Sequence, residues 1–318
     1  MNRKHRLLAL LTAAVLMAAL PLSPALAAGQ PGLFQFLSGS LADPIVPLDG
    51  AEELVQTDLA TVENDLITLY VEEAIFDGQG VLVQLRFVPK DAERYALSSA
   101  LGDEEIGERT EIFCDVQEVR LTDANSGEIN VIAWDYAKKA DGSLALQGIG
   151  YSDEPLDAQA TLQIVPYAGI VGEWDEERQD NRTPVELDSI TLPMTRAVKL
   201  RRAVLKPVGE PAEGLEILGG ALTLTPICAY LTYDYRCERM LASNTTVIIQ
   251  FYDGEGAEIN WGLGTETRMD DAQGRYEHAQ RIIQTTPDFP ERLYFTATDV
   301  YGYKQEPLGR VECEVIEE

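Results

Sequence analysis

The fold is decided by residues 66–87, which read LITLYVEEAIFDGQGVLVQLRF. Every second side chain is apolar from Ile67 to Val71 and again from Val81 to Phe87. A period of two is typical of a β-strand with one buried face. The Asp-Gly-Gln-Gly segment at 77–80 lies between the two runs and predicts a turn, so the whole stretch predicts a β-hairpin.

Runs of the same kind, separated by turn-forming residues, fill most of the remaining chain. They lie at residues 112–123, 129–134, 143–149, 160–167, 185–192, 221–235, 245–253, 258–264, 292–302 and 309–317. Short strands spaced by turns predict an all-β sandwich or barrel. Residues 90–101, KDAERYALSSAL, are the exception, since their composition favours a short helix.

A sequence echo indicates two related domains. DANSGEIN at 123–130 matches DGEGAEIN at 253–260, and each segment follows an alternating strand and leads into a strand that carries a tryptophan, Trp134 or Trp261. We therefore predict tandem β-sandwich domains. The first spans residues 59–206, a linker spans 207–214, and the second spans 215–318.

The N-terminus has the features of a secretory signal peptide. A basic start with Arg3, Lys4 and Arg6 precedes an apolar run at 7–20, which ends in prolines and Ala25-Leu26-Ala27. The run is shorter than the roughly 20 residues of a membrane-spanning helix. We predict cleavage after Ala27, an extracellular location, no transmembrane segment in the mature chain and a flexible leader at 28–58.

The chain is strongly acidic, with 53 Asp and Glu against 25 Lys and Arg and a formal charge of -28. Cleavage would change this charge to -31, because three basic residues and no acid are lost. Nucleic acids and anionic membranes bind through Lys and Arg. Nucleic acid is therefore excluded as a partner.

The basic residues concentrate just before the predicted linker. Arg196, Lys199, Arg201 and Arg202 are candidate binding residues for an anionic ligand. The alternative is a final strand of the first domain whose basic face meets the acidic remainder of the molecule.

The four cysteines are Cys114, Cys228, Cys237 and Cys313. Export permits disulfides, and Cys228 and Cys313 lie in strand-like runs of the second domain, where they could be bonded to each other. Four buried thiols are the alternative. Without a Cys-x-x-C pair, a structural zinc site is not expected.

The chain lacks the residues that most known catalytic motifs require. After cleavage one histidine, His278, remains, in a segment that we expect at the surface. No nucleophile motif or phosphate-binding loop is present, so we predict no catalytic residues, metal or cofactor. Calcium bound by the acidic turns at 123 and 253 is an alternative to plain hairpin turns. Trp174, in a polar segment, is the best candidate for an exposed ligand contact.

Residues 67–87 and the segment FPERLYFTATDVYG at 289–302 resemble a family of exported Gram-positive proteins. Its members carry uncharacterised immunoglobulin-like sandwiches of the kind found in the extracytoplasmic parts of anti-sigma-factor-like proteins. The resemblance implies two immunoglobulin-like domains over residues 60–318 and brings no catalytic residues.

The sequence therefore predicts a secreted or cell-surface, non-catalytic binding protein whose partner is a protein or glycan at the cell surface. Two alternatives are an extracytoplasmic sensor or regulatory partner of an envelope system and a glycan-active carboxylate enzyme.

Overall fold

The computed structural model describes residue 33 and residues 47–100, 106–196, 198–211, 214–237, 247–259, 261–271, 274–299 and 307–318. The predicted signal peptide at 1–27 lies outside the described residues. No helix among those residues is both long and apolar enough to cross a membrane.

The described part of the chain is mostly β-strand, as predicted, and forms two curled sheets that are antiparallel except for one pair of strands in the first. A short 3-10 helix at Ala51–Leu54 precedes the first sheet. The ten strands of that sheet, which we call the first unit, are β1 Gln56–Glu63, β2 Ile67–Phe76, β3 Gly80–Pro89, β4 Tyr95–Ser98, β5 Thr110–Asp123, β6 Glu128–Lys138, β7 Leu144–Tyr151, β8 Gln159–Asp175, β9 Asp180–Val185 and β10 Ile190–Thr195.

The second sheet contains eight strands, which we call the second unit. They are β11 Arg201–Val208, β12 Glu216–Leu224, β13 Ala229–Arg236, β14 Val247–Tyr252, β15 Trp261–Asp271, β16 Gly274–Ile283, β17 Arg292–Asp299 and β18 Pro307–Glu317.

The two units share one strand order. In the first, neighbouring strands follow the order β1-β2-β3-β7-β6-β5-β8-β10, with β4 and β9 attached at the side. In the second, the order is β14-β17-β18-β11-β12-β13-β16-β15. If each order is closed into a ring and β11 is matched with β1, equivalent strands are neighbours in both units, and the two units differ only in which neighbours are unpaired. Among the described residues, the first ring is not paired between β10 and β1, and the second is not paired between β15 and β14. The repeated order agrees with the echo in the sequence.

Each unit curls around its own apolar core. In the first, one layer of the curled sheet contains β2, β3 and β7, and the other contains β5 and β8. The core includes Leu69, Val83 and Leu146 from the former and Leu121 and Leu162 from the latter. In the second, aromatic residues dominate, and Tyr233 packs against both Phe251 and Phe295 with ring centroids 6.3 and 5.1 Å apart. The period-two pattern places these side chains inward.

A third apolar cluster joins the units. The strands that contribute to it bury both faces, because their outer sides pack against the other unit. Its fully or nearly buried members are Leu33, Ala51, Ile75, Leu82, Ile149, Tyr151, Ile227, Cys228, Tyr230 and Ile282. The units are therefore docked face to face through an apolar interface.

The predicted boundary between the domains differs from the structure. The sequence predicts that residues 201–206 belong to the first domain and 207–214 to a linker, but β11 pairs with β12 and β18 of the second unit. The alternation of Ala203 and Leu205 with exposed residues gives β11 one buried face, which the second core covers. The connection between the units is therefore residues 196–200.

The flexible leader predicted at 28–58 is wrong for its described part. The Leu48 amide donates a hydrogen bond to the Pro226 carbonyl of the second unit at 2.7 Å, and Ala51 is fully buried. Leu33 is also fully buried, and its amide donates to Glu73 at 2.7 Å. Residues 28–32 and 34–46 lie outside the described residues.

The helix expected at residues 90–101 is also wrong. The Asp91 carboxylate accepts hydrogen bonds from the amides of Glu93 and Arg94 and fixes a turn. Residues 95–98 then form β4, which runs parallel to β5 with all four side chains buried. Burial in the sheet outweighs the helical preference of these residues.

Candidate functional site

A pocket of about 390 Å³ opens at one end of the second unit. Three connections surround it: the turn from β12 to β13, the turn after β14, and the segment from β16 to β17. Loops at the end of a β-sandwich are a common place for binding residues because the sheets hold them in position.

The floor of the pocket is apolar. Leu222 and Leu224 of β12, Ile283 of β16 and Leu293 of β17 are buried core residues that also line the cavity, and Phe289 forms part of the wall. Core side chains of β12, β16 and β17 therefore border the cavity at this end.

The rim of the pocket is acidic. Asp253, Glu258 and Asp288 line it, and none of its described lining residues is Lys or Arg. The other polar lining residues, Gln284 and Thr286, are neutral. The pocket thus combines an apolar interior with negative charge at its mouth.

The turn after β14 is fixed by its own carboxylate. Asp253 Oδ1 accepts hydrogen bonds from the amides of Glu255 and Ala257 at 2.9 and 2.8 Å. Asp123 Oδ1 accepts from Asn125 and Gly127 in the same way, at 2.9 and 2.7 Å. Both copies of the repeated motif are therefore Asx turns, and their carboxylates bind backbone amides.

The segment between β16 and β17 is held by Arg201. Its Nη1 donates to the Pro287 carbonyl at 2.6 Å, and its guanidinium lies 5.0 Å from the Phe289 ring centroid. Arg201 also pairs with Glu317 at 3.1 Å and lies 3.6 Å from Asp288. These contacts set the position of one wall of the pocket.

The predicted basic binding residues are not gathered into one site. Arg202 forms a two-pronged ion pair with Glu154 of the first unit, with distances of 2.6 and 3.0 Å. Arg196 is half-buried and packs against Gly78, whereas Lys199 is exposed. Both Arg201 and Arg202 therefore bind carboxylates of the chain itself, as the alternative of a basic strand face against acidic surface predicts, but their strand belongs to the second unit and not to the first.

Trp174 lies far along the chain from the pocket, near the end of β8. It is 63% exposed, the most exposed of the large apolar side chains described. The structure does not bring it together with the basic residues. Trp134 instead packs against the core of the first unit.

The predicted Cys228–Cys313 disulfide is absent. All four cysteines are buried free thiols; Cys228 belongs to the cluster between the units and Cys313 to the core of the second unit. The two side chains lie in different apolar clusters, so burial as small apolar groups describes them better.

A second polar site lies at the interface of the units, and the sequence did not predict it. Asp77 is fully buried and accepts hydrogen bonds from five groups, which are the amides of Gln79 and Gly80, the hydroxyls of Thr225 and Tyr230 and, at 3.9 Å, the Cys228 thiol. Burial raises the pKa of Asp77, and the amide and hydroxyl donors oppose this rise. Nearby, His278 lies between Asp234 and Asp153. The expectation of a surface histidine is wrong, since its side chain is 24% exposed.

Comparisons with known proteins bear on the fold alone. No family model matches the chain, and no curated protein does. Among solved structures it is similar to "The crystal structure of the conserved domain protein from Bacillus anthracis", with a TM-score of 0.53 and 11% identity, over 91% of this chain and 97% of that chain. The similarity spans both units.

Proposed function

We propose that this chain is an exported, non-catalytic binding protein with two immunoglobulin-like sandwiches, and that the pocket of the second unit is its ligand site. The observation that carries the proposal is the combination of an apolar floor and an acidic rim in one cavity of about 390 Å³. Ligand sites in proteins are concave, mostly apolar and fitted with a few polar groups.

The strand order supports the immunoglobulin-like assignment. Such a sandwich has strands A, B, E and D in one layer and C, F and G in the other. With β2 as strand A, the first unit contains β2-β3-β7-β6 and β5-β8-β10, which is this arrangement with β1 added. The second unit contains β12-β13-β16-β15 and β14-β17-β18, with β11 joining its two layers.

The chemistry of the pocket indicates a ligand with an apolar body and a cationic group. The buried leucines can cover an alkyl or aromatic group, and the carboxylates of Asp253, Glu258 and Asp288 attract a positive charge. The formal charge of -28 adds a long-range attraction for cations. A basic side chain on a partner protein or a small organic amine has this chemistry.

The hydrogen bonds of the acids favour binding over catalysis. Asp253 holds its turn, and Glu258 accepts a hydrogen bond from Gln250 at 3.0 Å. Asp77, whose pKa is raised as in many general acids, is sealed between the units and has no path to a substrate. These features count against the glycan-active enzyme.

One observation favours the alternative of a regulatory partner in an envelope system. Val204 of β11 and Ile316 of β18 are direct neighbours across the sheet, and they are 40% and 46% exposed. Exposed apolar side chains side by side are suited to a protein contact. Substitution of both by Lys would abolish such a contact and leave ligand binding in the pocket unchanged.

Three compounds that share a phenyl group and differ in charge test the proposal: 2-phenylethylammonium, 2-phenylethanol and 3-phenylpropionate. We expect saturable binding in the order cation, alcohol, anion, with NMR amide shifts confined to the pocket. Glu258→Gln should weaken binding of the cation and leave the alcohol unaffected. Glu255→Gln is the matched control, because this exposed residue lies on the same turn outside the lining. Equal binding of cation and anion, or shifts elsewhere, would refute the proposal.

A further inference from the structure

His278 connects the two units through opposite edges of its ring. Nδ1 lies 2.7 Å from Asp234 Oδ1 of β13, within the second unit. Nε2 lies 3.2 Å from Asp153 Oδ2, in the connection that follows β7 of the first unit. The imidazole therefore stands between a carboxylate of its own unit and one of the other unit.

The surrounding contacts show that this part of the interface is polar. Gln280, two residues further along β16, donates to the Ser152 carbonyl of the first unit. Gln79 Nε2 donates to the carbonyls of both Ser152 and Asp153, each at 3.0 Å. Two glutamine side chains thus fix the backbone that presents Asp153 to the histidine.

We propose that His278 is a pH-dependent link between the two units, which we call the clasp. Its protonated ring binds Asp234 of the second unit and Asp153 of the first. The protonated ring carries a positive charge and an N–H on each nitrogen, so it attracts both carboxylates at once. The neutral ring has a single N–H, and its other nitrogen presents a lone pair to a carboxylate. One of the two attractions then becomes a repulsion.

The pKa of His278 has the direction that the clasp requires. Burial lowers the pKa, but the hydrogen bond with Asp234 and the charge of Asp153 outweigh burial and raise it above its ordinary value. The contribution of the clasp to stability is therefore complete below the unfolded pKa of about 6.5 and is lost as the pH rises through the raised folded pKa.

Few other charges face the ring from the elements around it. Asp234 lies on β13 and Asp153 in the β7–β8 connection, while Thr267, opposite His278 on β15, is uncharged. Glu154, next to Asp153, is bound by Arg202. The remaining described charged groups close in sequence are Glu277 and Arg281 on β16, Glu266 on β15 and Arg236 on β13. Asp153 and Asp234 are thus the groups whose interaction with the ring changes when the ring is protonated.

NMR titration of the predicted mature chain, residues 28–318, in which His278 is the one histidine, tests the clasp directly. The His278→Gln variant confirms the assignment of the ring signals. We expect the pKa of His278 to lie above the ordinary histidine value of about 6.5 and to fall in Asp153→Asn. Glu154→Gln is the matched control, because its partner is Arg202, and should leave the pKa of His278 unchanged. A pKa of His278 that does not respond to Asp153→Asn would overturn the proposal.

A second readout separates a clasp between the units from a local ion pair. Amide exchange at Tyr230 and Ile282, in the apolar interface, is measured at pH 5 and pH 8 and corrected for the intrinsic rates. We expect protection in the wild type to be lower at pH 8, and His278→Gln to lower protection at pH 5 and to have little effect at pH 8, where the wild-type ring is neutral. Protection that is independent of pH in the wild type would also overturn the proposal.

Discussion

Tyr230 of the second unit donates a hydrogen bond to Asp77 of the first, with 2.7 Å between Tyr230 Oη and Asp77 Oδ2, and both side chains are buried. Asp77 also fixes the turn between β2 and β3, because its Oδ1 accepts from the amides of Gln79 and Gly80 at 3.0 and 2.8 Å. One carboxylate therefore organises a hairpin of the first unit and binds the second.

Tyr230→Phe removes this hydrogen bond and leaves Oδ2 of the buried carboxylate with the Thr225 hydroxyl and, at 3.9 Å, the weaker donor Cys228 Sγ. We expect the free energy of unfolding to fall by about 1–3 kcal/mol, the cost of losing a hydrogen bond to a buried carboxylate. Urea denaturation measures the change. Tyr70→Phe is the control, since Tyr70 is half-buried, and a loss there of as much as at Tyr230 would argue against a specific role of the hydrogen bond.

Gly80→Ala tests how closely the units approach. A Cβ atom at Gly80 would lie 2.1 Å from Tyr230 Oη, which is far inside contact distance, and the tyrosine ring is fully enclosed. We expect a loss of about 1–3 kcal/mol from overpacking, measured by thermal unfolding. At Gly172 the nearest atom to a Cβ is 3.8 Å away, so Gly172→Ala should be nearly neutral. Equal effects at both glycines would contradict the face-to-face docking.

The sequence predicts the strands well because period-two alternation depends on local side-chain burial. The predicted turn in the DGQG segment, for example, is present: residues 77–79 connect β2 to β3. Alternation also marks β11, but it does not say which core covers the buried face, so the prediction that places this strand in the first unit is wrong.

The interface and the pocket could not be predicted for a related reason. Residues 143–151 have apolar side chains on both faces, which indicates burial on both sides, but the partner surface is almost 80 residues away in the sequence at Tyr230. The pocket is likewise built from three separate connections. The repeated segment identifies Asp253 as a turn residue. The sequence does not show that Asp253 lines the same pocket as Asp288 and Phe289, because these residues come together only on folding.

Asp123 contributes to the acid stability of the first unit. The hydrogen bond from the Asp157 amide, at 3.0 Å, is the main cause that lowers the pKa of Asp123. Burial opposes it, and the amides of Gly127 and Asn125 lower the pKa further. A lowered folded pKa stabilises the protein above the unfolded pKa of about 4, and this stabilisation is lost as the pH falls through the folded pKa.

Asp123→Asn should therefore reduce stability at pH 7 and have a smaller effect at pH 3, where the wild-type carboxylate is protonated in the unfolded state. Urea midpoints at the two pH values measure the difference. Glu128, exposed on the adjacent strand, provides the control as Glu128→Gln. A deficit of the Asp123 variant that grows toward low pH would be contrary to the expected sign.

The free thiols give the last prediction. Burial raises the pKa of Cys313 to about 12 and raises that of Cys228 well above its ordinary value, where the charge of Asp77 adds to the effect. A thiol reacts as the thiolate, so both groups should be inert in the folded protein. Titration with Ellman's reagent under native conditions should detect no fast-reacting thiol, and titration in guanidinium should detect all four. Detection of only two thiols in guanidinium would indicate that the protein contains a disulfide. Cys228→Ser should leave the count at three, and a reducing agent should leave the melting temperature of the wild type unchanged.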